Sequence, residues 1–211
     1  MTTQVRNPLF ARWYSRMTES EGAEEALHRR RTVAGLNGRV IEVGAGNGSN
    51  FEYYPTEVTE VVAVEPEPYM RKRAERASSS ASVPVTLVDG LADDLPFDDA
   101  SFDAAVSALV LCTVPDPARA LAQLYRVVRP GGELRFYEHV HAHSQPMRAV
   151  LELADRSTLW PRIAGGCHPT RETLSAIVAA GFVIEDSSRF GFTPSRLIPP
   201  IPHILGSARR P

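Results

Sequence analysis

Two short stretches of the chain carry residues that could do chemistry. The first is RVIEVGAGNGSN, Arg39 to Asn50, with Gly44, Gly46 and Gly48 at alternate positions and an acid, Glu42, just before them. Glycines after a strand let the backbone approach a ligand without Cβ clashes. A dinucleotide loop reads G-x-G-x-x-G, and Ser49 stands at its last position here. A phosphate loop needs G-K-[ST], and this stretch has no lysine. A second acid, Glu65, ends the run VVAVEPE, where a carboxylate can accept both hydroxyls of a ribose. A ribose without a pyrophosphate fits S-adenosylmethionine (SAM). Its cationic sulfonium and amino groups tolerate Glu42 nearby, whereas a pyrophosphate would be repelled.

The second stretch is EHVHAH, with Glu138, His139, His141 and His143. Methyl transfer from a sulfonium displaces an already activated group, so positioning supplies much of the rate. A thiol acceptor, with a pKa of about 8.5, needs little help to ionise. A hydroxyl or ammonium acceptor needs a firmer base. His139, where a strand opens into a crevice, is the candidate base or substrate-orienting group. Alternate histidines on one side of an extended segment could hold a metal. On an exposed loop they are commonly plain polar surface, and no metal is assigned. Cys112 could line an acceptor pocket, though its plainer reading is a small buried hydrophobe. Cys167 with His168 in GGCHPT is either a reactive pair or a tight loop before a helix. Phe10, Trp13, Tyr14, Trp160 and Phe192 either wall the acceptor pocket or pack the core.

The elements that would hold these groups alternate along the chain. Val40–Val43, Val61–Val64, Val85–Val88, Phe102–Ser107 and Leu134–Val140 are nearly continuous apolar runs, as strands covered on both faces should be. Asp116 to Val128 reads as a helix with Leu121, Leu124 and Val128 as its buried stripe. Pro130-Gly131-Gly132 then turns into the next strand. Thr170 is the expected N-cap of a later helix that stops at Gly181. Another helix is expected to start at Asn50 and Phe51. Phe182–Asp186 and His203–Ala208 read as strands of an antiparallel hairpin at the sheet edge. The pattern predicts an α/β fold: a Rossmann-like doubly wound sheet of seven strands. They should be mostly parallel, with an antiparallel C-terminal edge strand and helices on both faces. A ligand would then sit at the carboxyl ends of the strands, at the topological switch point.

Hydrophobic content of 43% in 211 residues is enough for a sizeable core. A net charge of -2 gives no electrostatic case for nucleic acid. The basic run HRRR, His28 to Arg31, reads as a solvated helix face. Two cysteines without a CxxC pair point to a reducing compartment, the cytoplasm. No apolar run approaches the roughly 20 residues of a membrane helix. The expected partner is a small-molecule substrate, with neither nucleic acid nor membrane; oligomeric state is left open.

Four motifs in order, VIEVGAGNGSN, VVAVEPE, LPFDDASFDAAVSALVLCTVPDP and LYRVVRPGGELRFYEH, resemble those of class I SAM-dependent methyltransferases. GNGSNFEYYP, LVLCTV, GGELRFYEHV, GGCHPTRETL and GFTPSRLIPPIPHILGSA narrow the resemblance to the methyltransferase-like alkyl-thiol S-methyltransferases, distant relatives of quinone and phospholipid methyltransferases. The resemblance implies SAM as methyl donor and S-adenosylhomocysteine as product. It implies a helical lid over residues 1–36 and a methyltransferase domain over 37–211, one structural domain overall. Glu42, Gly44, Ala45, Gly46, Gly48 and Asn50 would form the turn against the cofactor, with Glu65 and Pro66 at the ribose. Ser107 and Ala108 would lie beneath the methionine part, and Tyr14 would close over it. The family's loop after the third strand usually carries an acid for the adenine amino group, and Leu91 takes that place here. Met70, Gly90, Leu91 and Ala92 would then hold the adenine, and Asp89 or Asp93 would serve only if the loop were shifted. Phe10, Cys112, His139, Trp160 and Cys167 would meet the substrate, with His139 catalytic. The implied acceptor is a small thiol. Alternatives are O-, N- or C-methylation of a small metabolite, or a non-catalytic SAM- or NAD(P)-binding module. Animal members carry an N-terminal hydrophobic anchor that this sequence lacks, which implies a soluble protein.

Overall fold

The computed structural model describes residues 8–18, 22–141, 145–157, 165–193 and 200–211. Helices α1 (Pro8–Thr18) and α2 (Ala23–Val33) precede the first strand, β1 (Gly38–Val43). A 3-10 turn, Phe51–Tyr53, leads to β2 (Val58–Val64), α3 (Pro68–Ser78) and β3 (Val85–Val88). Then come β4 (Phe102–Ala108), α4 (Pro117–Val127), β5 (Val128–His139), α5 (Gln145–Arg156), α6 (Thr173–Ala179), β6 (Val183–Phe192) and β7 (Ile201–Arg209).

The seven strands lie in the order β3-β2-β1-β4-β5-β7-β6. β1 to β5 are mutually parallel, and β7 runs antiparallel to both β5 and β6. The expected antiparallel C-terminal pair is present at the edge, with β7 inside and β6 outside. Successive strand residues point to opposite faces, and both faces are covered. Val40, Val61 and Ala104 belong to one core, with Val33 of α2 and Ala74 of α3. Ile41, Val62 and Ala105 belong to the other, with Leu121 and Leu124 of α4 and Ile177 of α6. Burying each of those leucines contributes about 1.5–3 kcal/mol. The order reverses between β1 and β4, which opens a crevice at their carboxyl ends.

Local chemistry sets the start of α4. The Asp116 carboxylate accepts the Arg119 amide at 3.0 Å and Pro117 occupies the first turn, so α4 starts where an N-cap and a pre-set φ coincide. Four sequence expectations shift. β5 begins at Val128, because Val128 pairs with Phe102 and the strand absorbs the Pro130–Gly132 turn as a register shift. Asn50 and Phe51 lead only to a 3-10 turn, since Pro55 cannot continue a helix. Thr170 is no N-cap: its hydroxyl donates to Asp155, and Glu172 stands at the cap of α6 without a side-chain bond. β6 runs on to Phe192. No helix among the described residues is long and apolar enough to cross a membrane.

Candidate active site

The turn after β1 places three glycines in the left-handed region, at φ +60, +59 and +84 for Gly44, Gly46 and Gly48. A Cβ on Gly44 would come within 2.5 Å of Val110, and one on Gly48 within 2.6 Å of the Phe51 ring. A Cβ on Gly46 would meet nothing nearer than Met70 Cε at 3.5 Å. Gly44 and Gly48 therefore let the protein pack against itself, and Gly46 keeps space open. That space is part of a cavity of about 450 Å³, the size of a small-molecule site.

Two buried carboxylates organise this end of the cavity. Glu65 ends β2, and its oxygens accept the amides of Gly46 and Glu67, each at 2.8 Å. Each oxygen keeps a lone pair for a further donor, as a ribose diol would need. Burial raises the Glu65 pKa, opposed by those two amides. Glu42 lies beneath the turn and accepts from Asn50 Nδ2 at 2.7 Å and Tyr54 Oη at 2.8 Å. Arg29 of α2 donates to Asn50 Oδ1 at 3.1 Å and so fixes the amide's orientation. Burial pushes the Glu42 carboxyl up to about 7, against the pull of both hydrogen bonds and of Arg29.

Of the expected cofactor residues, Tyr14, Glu42, Gly44, Ala45, Gly46 and Asn50 line the cavity, as do Glu65, Pro66, Met70, Leu91, Ala92 and Ala108. Three do not. Gly48 is packed under Phe51, Gly90 lies against Val64, and Ser107 is buried with its hydroxyl on Glu138. Asp93 lines the cavity beside Leu91 and Ala92, while Asp89 pairs with Arg71 at 2.9 Å. The sequence reading missed Arg29 as a lining residue, since HRRR does not show which of its side chains turns inward. His28 and Arg29 are buried, and only Arg30 and Arg31 match the expected solvated face.

Opposite the glycine turn, the wall is built by the loop after β4, the end of β5 and the segment Gly165–Cys167. Leu109 stands at φ +62 there. Glu138, fully buried, holds that loop: one oxygen accepts from Ser107 Oγ (2.7 Å), Val110 N (3.1 Å) and Leu111 N (3.0 Å), the other from Cys112 N (3.2 Å). Committed to four donors, Glu138 positions the loop and is no base. The His168 amide donates to the Cys112 carbonyl at 2.7 Å and ties the Gly165–Cys167 segment to the same loop.

Phe10, His139 and Cys167 line this end, and Phe10 stacks on Tyr14 at 5.5 Å. Cys112 is fully buried behind them and does not line the cavity, though its sulfur lies 3.4 Å from His139 Nδ1. Its thiol pKa is pushed well up, first by the Cys167 sulfur and then by burial. Of the three alternate histidines, the two described ones have different partners. His139 turns to the cysteines, and His141 Nδ1 lies 3.1 Å from Glu172. Trp13 is 58% exposed, and Phe192 packs edge-on against His28 and His203. Trp160 and His143 lie outside the described residues.

Sheet order, glycine turn and the two acids together define a Rossmann-like SAM-dependent methyltransferase. A methyltransferase domain model matches residues 41–136. The thiol S-methyltransferase TMT1B of Mus musculus is 35% identical over 95% of this chain and 82% of its own length. A phosphatidylethanolamine N-methyltransferase of Cereibacter sphaeroides is 35% identical over 58% of this chain and 62% of its own. A solved SAM-dependent methyltransferase from Thermotoga maritima, 25% identical, superposes with a TM-score of 0.67 over 96% of this chain and 97% of its own. The chain belongs to the family of the thiol S-methyltransferase TMT1B.

Proposed function

We propose that this enzyme methylates the sulfur of a small apolar thiol. The observation that carries the reading is the reach of the similarity. It covers 95% of the chain with a thiol S-methyltransferase and therefore includes Gly165–Cys167, which walls the acceptor end. The N-methyltransferase relative matches only 58%.

When bound, SAM supplies an activated methyl group. Glu65 would hold the ribose, and Leu91, Ala92 and Met70 the adenine. Glu42 would face the cationic end, and Gly46 leaves the room that a Cβ would fill. Phe10, Val110 and Val114 give the acceptor end its apolar character, which suits a thiol carried on a hydrocarbon skeleton. His139 assists ionisation of the acceptor and orients it. Helix α1 brings Phe10 and Tyr14 over the cavity, and residues 1–36 act as its lid above a 37–211 catalytic domain. Closure would exclude water from the transfer. Both cysteines are free, which supports a reducing, cytoplasmic location.

The test is a screen for SAM consumption with small thiols, phenols and amines, with products identified by mass spectrometry. Methyl thioethers are the expected products. Methylated phenols or amines with untouched thiols would overturn the reading.

A further inference from the structure

Cys112, Cys167 and His139 meet at one point of the acceptor wall, the one such cluster of metal-type ligands among the described residues. Both sulfurs lie 3.4 Å from the same nitrogen, His139 Nδ1, and all three atoms lie within 4.8 Å of one another. An imidazole Nδ1 offers one lone pair or one hydrogen, enough for a single hydrogen bond. Two sulfurs converging on it resemble ligands around a shared centre. Tetrahedral zinc, with Zn–S of about 2.3 Å and Zn–N of about 2.0–2.1 Å, sets sulfur and nitrogen about 3.6 Å apart. We infer that Cys112, Cys167 and His139 form a three-ligand site for a thiophilic divalent ion such as zinc, whose fourth position receives the acceptor thiol.

The surroundings explain why the set stops at three. Glu138 already serves four donors. His203, its ring 4.4 Å from that of His139, has its Nδ1 on the Ile201 carbonyl at 2.8 Å. Cys112 is fully buried while His139 and Cys167 line the cavity, so the fourth position faces the lumen. Three protein ligands and an open position characterise catalytic rather than structural zinc. Two sulfurs among the ligands select a thiophilic ion over magnesium or calcium.

This inference rests on the thiol acceptor proposed above and says how His139 assists its ionisation, as a ligand of the ion rather than as the group that takes the proton. The thiol releases its proton to solvent as its sulfur coordinates the ion. A lone pair on that sulfur then forms the bond to the methyl carbon. The carbon–sulfonium bond breaks, and its electron pair stays on the sulfur of S-adenosylhomocysteine. The neutral methyl thioether, a weaker ligand, leaves, and the next thiolate takes its place. No oxidant or reductant is needed. A free thiol of pKa about 8.5 is only about 3% ionised at pH 7, so full ionisation gains up to about thirtyfold.

The full chain, reduced and stripped with a chelator, is titrated with Co²⁺ as a spectroscopic substitute for zinc. One ion per chain is expected, with a thiolate-to-cobalt charge-transfer band and the visible bands of tetrahedral cobalt. Cys167→Ser and His139→Ala should lose the charge-transfer band or weaken it sharply. An apolar thiol should shift the visible bands, and the matched alcohol should not. No charge-transfer band in a protein that still shows a SAM-induced melting shift overturns the inference. So does a reduced protein that binds no ion but reversibly loses two hydrogens on mild oxidation, which would make the cysteines a redox pair. Turnover separates this claim from the one beneath it. S-methylation that falls on stripping and returns with Zn²⁺ supports both. Undiminished S-methylation by stripped protein overturns the ion and leaves the thiol reading standing. Bound ion with alcohol or amine methylated instead of thiol overturns the thiol reading.

Discussion

Glu42 should couple SAM binding to a proton. Its carboxyl titrates near 7 in the folded protein against an ordinary value of 4.5, with burial as the main cause. A raised acid binds its proton more tightly in the folded state. Its contribution to stability is therefore complete below pH 4.5 and lost as pH rises toward 7. That elevation costs about 3 kcal/mol above pH 7. SAM brings a sulfonium and an ammonium to this cavity and favours the carboxylate form. Binding below pH 7 must then expel the proton. If only the carboxylate form binds, affinity should fall about tenfold between pH 8 and pH 6, a loss of about 1.4 kcal/mol. Titration calorimetry in two buffers of different ionisation enthalpy measures both the affinity and the proton released, about half a proton at pH 7. Glu42→Gln should bind SAM more weakly at pH 8 and lose this pH dependence, which separates Glu42 from the ligand's own titrating groups. Equal pH profiles for the two proteins would refute the coupling.

Other expectations follow from the same geometry. Gly46→Ala should keep its fold at a cost of about 1–2 kcal/mol for the left-handed backbone, yet lose SAM binding; Gly44→Ala, which collides with Val110, should show the larger drop in melting temperature. Glu65→Ala should weaken SAM binding by about 1–3 kcal/mol in calorimetry, and unchanged affinity would place the ribose elsewhere. Leu124→Ala, fully buried in the core beneath α4, should cost about 2–5 kcal/mol in denaturant unfolding while leaving the proton linkage of Glu42 intact.

The strands legible in the sequence are those buried on both faces. Val61–Val64 has no polar interruption and Val40–Val43 has only Glu42, because neither face meets water. β6 is half hidden from such reading: Glu185-Asp186-Ser187-Ser188 sits on the outer strand, where exposure relaxes the apolar pattern. The Pro130–Gly132 turn likewise masks the first residues of β5, since pairing with Phe102 holds Val128 in the sheet regardless. In the site, the glycines, Glu42 and Glu65 are legible because their spacing along one β-turn-β unit is their function. What each glycine touches is not, because Val110 and Phe51 reach Gly44 and Gly48 through tertiary packing. Arg29 was hidden for the same reason. The meeting of Cys112, His139 and Cys167 brings together three separate parts of the chain, and no local spacing encodes it.

The central claim is tested most directly by a single competition. Protein and SAM are incubated with a thiol, an alcohol and an amine built on one apolar skeleton, and each methylated product is quantified with S-adenosylhomocysteine. The account predicts the methyl thioether, in amounts equal to S-adenosylhomocysteine, with alcohol and amine left unmethylated. Methylation of the alcohol or amine in preference to the thiol would contradict it.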